Sequence, residues 1–440
     1  MRPPWGVHLP GSWGGLADAE APRRTVSVVV THYEQPAQLA RTLHALTRQT
    51  LAPYDVVVAD DGSATPPVVP DGVRLVRQDD RGFRAAAARN LGARHTGGEV
   101  LVFLDADTTP EPGLLETLTR LPRLQPDLLA VGRRRHAGLD GLPPEVPVEA
   151  AGPAHELPEP AWLTRGWAES HDLRDADDLS ARFVISAVLA CSRWWFDTLG
   201  GFEDTFDSYG GEDWELAHRS WTAGGLLAHA PDAVAWHDGP DAGVVPRGTA
   251  AHESAELAAR VGVPGLTAYG LLGLHGRTVP VDRVLALDAG LGDRELVLVV
   301  DAALHADPGL RIAVDDHQGR VLGGDPRLLS RDGASALDTV LPTSARVLVE
   351  LHRPRLLDPG QWRALFSPPA DGAVTTVHAD PGEDQAAVAT TTALRVVRRA
   401  RRWGVEPTGT ETRDAAGSPL PEDLTLAAWW GGWAPGSPDR

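Results

Sequence analysis

Between Val26 and Leu104 short apolar runs alternate strictly with stretches of helical spacing, and that alternation constrains the fold more than any other feature. Val26-Ser-Val-Val-Val30, Asp55-Val-Val-Val-Ala-Asp60, Val73-Arg-Leu-Val76 and Val100-Leu-Val-Phe-Leu104 read as strands. Gln35 to Gln49, with Leu39, Leu43 and Leu46 at helical intervals, and the alanine-rich Phe83 to Ala93 read as helices. Strand and helix in turn specify a mostly parallel sheet with right-handed crossovers. The run at 100–104 is apolar throughout, as a strand buried on both faces must be. In such sheets ligands sit beyond the carboxyl ends of the strands. Three of those ends turn polar abruptly: Thr31-His32-Tyr33, Asp60-Asp61 and Asp105-Ala106-Asp107.

Residues two apart on an extended segment point the same way, so Asp105 and Asp107 share a face. Two hard oxygen ligands there suit Mg²⁺ or Mn²⁺, which in turn suits a diphosphate. The chain of 440 residues carries a formal net charge of -19, which argues against nucleic acid as a partner. An acidic protein that handles an anionic ligand must supply positive charge locally, by a metal or by placed arginines. There is no lysine, so a lysine nucleophile or Schiff base is excluded. Cys191 is the single cysteine, so the chain has no intrachain disulfide and no thiolate metal cluster, and a small buried core role is expected for it. The first strand ends without a G-x-G-x-x-G turn, and no Walker A loop occurs, which sets aside dinucleotide cofactors and P-loop nucleotidases.

The organisation expected along the chain is an N-terminal arm (1–24), an α/β domain (25–240), a helical connection (241–275), an accessory α/β or α+β domain (276–405) and a tail (406–440). Arg133 to Asp178 reads as a long irregular insert of the kind that forms lids or specificity loops. A helix is expected over Thr249 to Val261. In the accessory domain, strands are expected at Val284–Leu287, Leu296–Val300, Leu310–Val314 and Arg346–Glu350, and a helix from Gln385 to Arg402. No clear repeat relates the two halves. Met1 to Arg24 lacks the pattern of a signal peptide, and no apolar run reaches the ~18 residues of a membrane span, so a cytoplasmic protein is expected. Arg395, Arg398, Arg399, Arg401 and Arg402 form a basic stretch that could touch an anionic membrane or a lipid-linked acceptor, although a solvated helix face accounts for it as well.

Five segments stand in order: Val26-Ser-Val-Val-Val-Thr-His-Tyr33, Val57-Val-Ala-Asp-Asp-Gly-Ser63, Ala87-Ala-Arg-Asn-Leu-Gly92, Asp105-Ala106-Asp107 and Gly210-Gly-Glu-Asp-Trp-Glu215. Together they resemble the family 2 glycosyltransferases with a GT-A fold, the chondroitin-polymerase and galactosyltransferase-like branch in particular. The resemblance covers about residues 25–240 and implies an inverting, metal-dependent transfer from a nucleotide-sugar donor, UDP-linked, to a glycan, lipid-linked or small-molecule acceptor. It implies donor contacts from Thr31, Tyr33, Glu34, Asp60, Arg84, Arg89, Asn90, Asp105, Ala106 and Asp107. Asp60 would bond the base, Asp105 the ribose, and Asp107 and His237 the metal. Arg89 is placed either to pair with an acidic strand end or to face the donor, and Asp61 to shape a turn. Asp213 would be the base that takes the acceptor's proton, with Glu212 and Trp214 against the acceptor. A GT-A module that binds glycan or nucleotide without chemistry is the alternative. A sugar-phosphate nucleotidyltransferase would want a glycine-rich basic first loop, which Thr31-His-Tyr-Glu34 is not.

Overall fold

The computed structural model describes residues 2–207, 210–240, 256–261, 263, 266, 280–288, 290–331, 341–368, 374–378, 387–414, 418–421, 424 and 426–429. They fall into two compact units, Met1–Thr278 and Val279–Arg440.

The N-terminal unit runs β1 (Val26–His32), α1 (Pro36–Leu46), β2 (Asp55–Asp60), β3 (Val73–Arg77), α2 (Ala85–Arg94), β4 (Val100–Asp105), β5 (Thr108–Pro110), α3 (Leu114–Leu124) and β6 (Leu128–Ala137). It continues through α4 (Val148–Ala154), β7 (Glu156–Leu157), α5 (Ala161–Glu169), β8 (Val188–Ser192), α6 (Arg193–Leu199), α7 (Glu212–Thr222) and β9 (Leu226–Asp238). The sheet order is β3-β2-β1-β4-β8-β6-β9-β5, with β7 beside β6. β1, β2, β3 and β4 are parallel, β8 is antiparallel to both neighbours, and β6 and β9 are parallel. The expected α/β architecture with a mostly parallel sheet is therefore present. Every residue of β1 is buried, because both sheet faces are covered. Val29 and Phe103 pack into one core with Phe196, Phe202 and Trp221; Val28, Val30 and Leu104 pack into the other with Leu39, Leu115 and Leu118. α2 lies so close that a Cβ on Gly92 would meet Val29 Cγ1 at 2.4 Å, so its run of small residues sets the layer spacing.

Two regions are more ordered than their sequence suggests. The 133–178 segment is not irregular: β6 continues to Ala137, and α4, β7 and α5 follow. Proline at 143, 144, 147, 153, 158 and 160 hides this pattern by breaking the elements into short pieces. The N-terminal arm is packed down, with Trp13 buried and Arg120 donating to the carbonyls of Leu16 and Ala19. Cys191 is fully buried on β8, and burial pushes its thiol pKa up.

The C-terminal unit runs β10 (Arg283–Leu287), α8 (Asp293–Ala306), β11 (Arg311–Val314), α9 (Asp316–Val321), β12 (Leu328–Ser330), β13 (Val347–Leu351) and β14 (Arg355–Leu356). Then come α10 (Pro359–Leu365), β15 (Val374–His378), β16 (Ala387–Ala393), α11 (Leu394–Trp403), β17 (Thr410–Asp414) and β18 (Ser418–Pro419). Its sheet order is β12-β11-β10-β13-β16-β15-β17. The apolar run 296–300 is helical, not a strand: Glu295 accepts from the Gly292 N–H, and Leu296, Val299, Val300 and Ala303 form one buried stripe. Short β-branched runs cannot be told from buried helices by periodicity alone. The expected helix over 385–402 divides into β16, where Thr390-Thr391-Thr392 pairs with β13 and β15, and α11. On α11, Arg399 is buried and Arg398 donates to the carbonyls of Ala345 and Pro342, leaving Arg401 as the exposed arginine of the five. Of the helix expected at Thr249 to Val261, residues 256–260 are helical and 249–255 lie outside the described residues. Among the described residues no helix is long and apolar enough to cross a membrane.

Candidate active site

A cleft of about 360 Å³ opens at the carboxyl ends of β1, β2 and β4. Thr31, His32, Tyr33 and Gln35 line it from the first loop, and Asp61 and Phe83 from the second and third. Arg89, Asp105, Asp107, Arg134 and His237 form its acidic and basic end. Tyr33 is exposed there, and its hydroxyl donates to Asp80 at 3.4 Å.

The acid pair behaves unexpectedly at β2. Asp60 is fully buried and accepts from Ser63 Oγ (2.6 Å), His32 Nδ1 (2.7 Å), Arg77 Nε (2.8 Å) and the Ser63 N–H (3.2 Å). Burial opposes its ionisation, yet the bonds from Ser63, Arg77 and His32 hold its carboxyl below the usual range. With both oxygens occupied, Asp60 fastens three segments together and does not face the cleft. Asp61 does, bound by Gln78 Nε2 (2.5 Å) and the Arg84 N–H (2.8 Å), with burial raising its pKa.

Three other expected donor contacts also point elsewhere. Glu34, in a left-handed conformation (φ 53°), spends its carboxylate on the Ala64 N–H at 2.6 Å. Arg84 acts through its backbone on Asp61. Asn90 is clamped to Phe202 by reciprocal backbone bonds of 2.8 and 2.9 Å, outside the cleft lining. Ala106 is buried, its N–H donating to Thr31 O at 2.8 Å, so it holds β4 against β1 and aims the two acids flanking it.

Asp107 and His237 come together because β5 pairs with β9, Thr108 opposite His237. His237 Nε2 lies 3.6 Å from Asp107 Oδ2. Its Nδ1 donates to the Gly239 carbonyl at 3.1 Å, which leaves Nε2 facing Asp107 Oδ2, an oxygen that also accepts from Gln35 Nε2 at 2.9 Å. With Nε2 unprotonated, the nitrogen and a carboxylate oxygen at that distance fit a hard divalent cation that both can ligate. Among the described residues no three His, Cys, Asp or Glu groups form a closed cage, so remaining positions would fall to ligand oxygens and water.

Arg89 joins the two acidic motifs. Its guanidinium is buried and donates to Asp105 Oδ1 and to Glu212 Oε1, each at 2.8 Å. Burial works against its charge, but Asp105 and Glu212 overrule it and raise its pKa. Glu212 is thereby held inward by an arginine. Asp213, next on the first turn of α7, accepts from the Trp214 N–H (2.8 Å) and the Ser186 N–H (3.3 Å). Burial first, then repulsion from Glu212, push its pKa up to about 7 against the pull of Arg89. Trp214 is half-buried and meets Trp162 of α5 edge-on at 6.0 Å.

Two residues, Arg134 in the cleft and Trp162 against Trp214, escaped the sequence reading. Arg134 sits on β6, two residues from His136, which opposes His237 in register; period-two reading of 132–136 as strand would have put Arg134 and His136 on one face. Trp162, 46% exposed, belongs to the helix hidden in the proline-rich insert.

Comparison with known proteins bears on this arrangement. Residues 27–163 match the model described as glycosyl transferase family 2, and residues 177–234 the one described as N-terminal domain of galactosyltransferase. The chain is 28% identical over 239 residues to hyaluronan synthase of Pasteurella multocida, covering 49% of this chain and 24% of that protein. It is 33% identical over 222 residues to validoxylamine A glucosyltransferase of Streptomyces hygroscopicus subsp. limoneus, covering 44% and 47%. It thus spans less than half the length of either relative. Among solved structures, GalNAc-T7 with UDP, GalNAc and Mn²⁺ aligns at 20% identity and a TM-score of 0.37, over 50% of this chain and 44% of that one. From β1 to β9, the N-terminal unit is similar to the family 2 glycosyltransferases.

Proposed function

We propose that the N-terminal unit is an inverting glycosyltransferase that moves a sugar from a nucleotide-sugar donor, UDP-linked, to an acceptor hydroxyl with the aid of Mn²⁺ or Mg²⁺. The observation that carries this reading is Arg89, which bonds Asp105, two residues from Asp107 with its His237 contact, and Glu212, the neighbour of Asp213. It joins a strand end suited to a diphosphate to a carboxylate suited to a proton.

Thr31, Tyr33 and Asp61 would line the nucleoside end of the cleft, and Asp105 the ribose. Asp107 and His237 Nε2 would hold the cation, which when bound offsets negative charge on the leaving diphosphate. Arg134 adds fixed positive charge to the same end. Asp213 would accept the acceptor's hydroxyl proton as that oxygen attacks the anomeric carbon opposite the leaving group. A carboxyl with its pKa near 7 is a far stronger base than one near the ordinary value of 3.8, and this favours Asp213 for the task. Arg89 holds the neighbouring Glu212 at 2.8 Å. Trp214 and Trp162 would offer flat apolar surface to an acceptor ring.

Asp213→Asn tests the reading. Turnover should fall by about 10²–10⁴-fold while calorimetric binding of UDP with Mn²⁺ persists. Full activity in that variant would remove Asp213 from the mechanism.

A further inference from the structure

We infer that the C-terminal unit is a second, diverged copy of the N-terminal fold that has lost the donor and base chemistry, leaving one metal-dependent nucleotide site in the chain. The inference rests on the reading of the N-terminal unit given above.

The two sheets share more than a class. Strand orders β3-β2-β1-β4-β8-β6-β9 and β12-β11-β10-β13-β16-β15-β17 correspond strand for strand in chain order. Every neighbouring pair also runs in the same relative direction. Order alone would not exclude independent origin, since doubly wound sheets are common. Register argues for descent. Val26 pairs with Val100 and Arg283 with Val347, and from those anchors the chain keeps step.

α1 begins at Pro36, ten residues after Val26; α8 begins at Asp293, ten after Arg283. Their buried stripes coincide: Leu39, Thr42, Leu43 and Leu46 against Leu296, Val299, Val300 and Ala303. β4 reads Val-Leu-Val-Phe-Leu and β13 Val-Leu-Val-Glu-Leu. Eleven residues past Val100 stands Glu111-Pro112-Gly113, with α3 starting just after it at Leu114, and eleven past Val347 stands Asp358-Pro359-Gly360, with α10 starting within it at Pro359. Val100 faces Ser192 and Val347 faces Ala393; α6 and α11 start at the very next residue. Their first N–H groups donate to Glu99 O and Arg346 O, both at 2.9 Å, and both helices end in a left-handed glycine, Gly200 and Gly404.

The same register locates the losses. His352 stands where Asp105 does, and Pro354 where Asp107 does. β14 starts at the place of β5, and its partner opposite Arg355 is Pro419 where Thr108 has His237. The N-terminal copy fits α7 with Asp213 between α6 and β9; between α11 and β17 the second copy has only residues 404–409. Proline offers no ligand atom from its side chain, and the base helix has no counterpart. Four chemical positions are gone while the scaffold between them persists.

Titration calorimetry of the full chain with UDP, in Mn²⁺ and in EDTA, tests this. The unaltered chain should bind UDP one-to-one in a metal-dependent step, Asp107→Ala should abolish that step, and His352→Ala should leave it unchanged, each variant being checked for folding by circular dichroism. A two-to-one complex from which Asp107→Ala removes one site would overturn the inference while the N-terminal assignment stood; a one-to-one complex surviving in Asp107→Ala would overturn the N-terminal assignment. No metal-dependent UDP binding by the unaltered chain would overturn the N-terminal reading and, with it, the contrast between the copies.

Discussion

β4 and β13 differ most where they stop. Both are buried strands of nearly the same sequence with an acidic-Pro-Gly turn at the same distance beyond them, yet one ends Asp105-Ala106-Asp107 and the other His352-Arg353-Pro354. The comparison separates what the sheet requires from what the chemistry requires. Apolar alternation, the Glu-Pro-Gly or Asp-Pro-Gly turn and the capping glycine recur in both units because the fold needs them. The second unit keeps acids after β10 and β11, Asp288 and Asp315-Asp316, where Asp315 caps a helix, but it has no acid pair after β13, so the scaffold stands without that pair.

Four experiments would break or sharpen that contrast. The largest effect should come from the base: Asp213→Asn should lower kcat by about 10²–10⁴-fold, while His352→Ala changes it by less than about twofold. Next is Arg89→Met, which leaves Glu212 buried without its partner. Denaturant unfolding should show a loss of about 3–5 kcal/mol, partly recovered by adding Glu212→Gln; absence of coupling in that pair would refute the bridge.

The third concerns pH. Asp213 carries a folded pKa of about 7 against 3.8 in the unfolded chain. The folded state then binds more protons than the unfolded one between these values, so this group's contribution to stability falls as pH rises through that window. Activity should rise over the upper part of the same window as Asp213 ionises, and Asp213→Asn should flatten the stability slope. The smallest effect is expected of Trp162→Ala. An aromatic contact of about 0.5–1.5 kcal/mol should raise the acceptor KM roughly 2- to 10-fold and leave donor hydrolysis unchanged. Equal loss in both would place Trp162 in the scaffold.

The sequence made the first sheet legible because its strands obey one period and stop on polar residues. It also brought out Asp105 and Asp107 at an abrupt change from apolar to acidic, whereas Asp213 came only through the family resemblance and His237 through a strand end together with that resemblance. What it concealed has physical reasons. Asp60 and Asp61 are adjacent and chemically alike, and only the bonds from His32, Ser63 and Arg77 show which of them turns inward. The partner of Glu212 lies 123 residues away on α2, a separation no local pattern reports. The kinship of the two halves was invisible because its markers are register and buried stripes, and because Leu296–Val300 imitates a strand.

Arg89 has one further effect. The negative charge of Asp105 offsets part of the positive potential that Arg89 exerts on the α7 turn, so removing that charge, as in Asp105→Asn, would draw the proton affinity of Asp213 downward. The loading of one end of the cleft is thereby transmitted electrostatically to the readiness of the other, with no moving part.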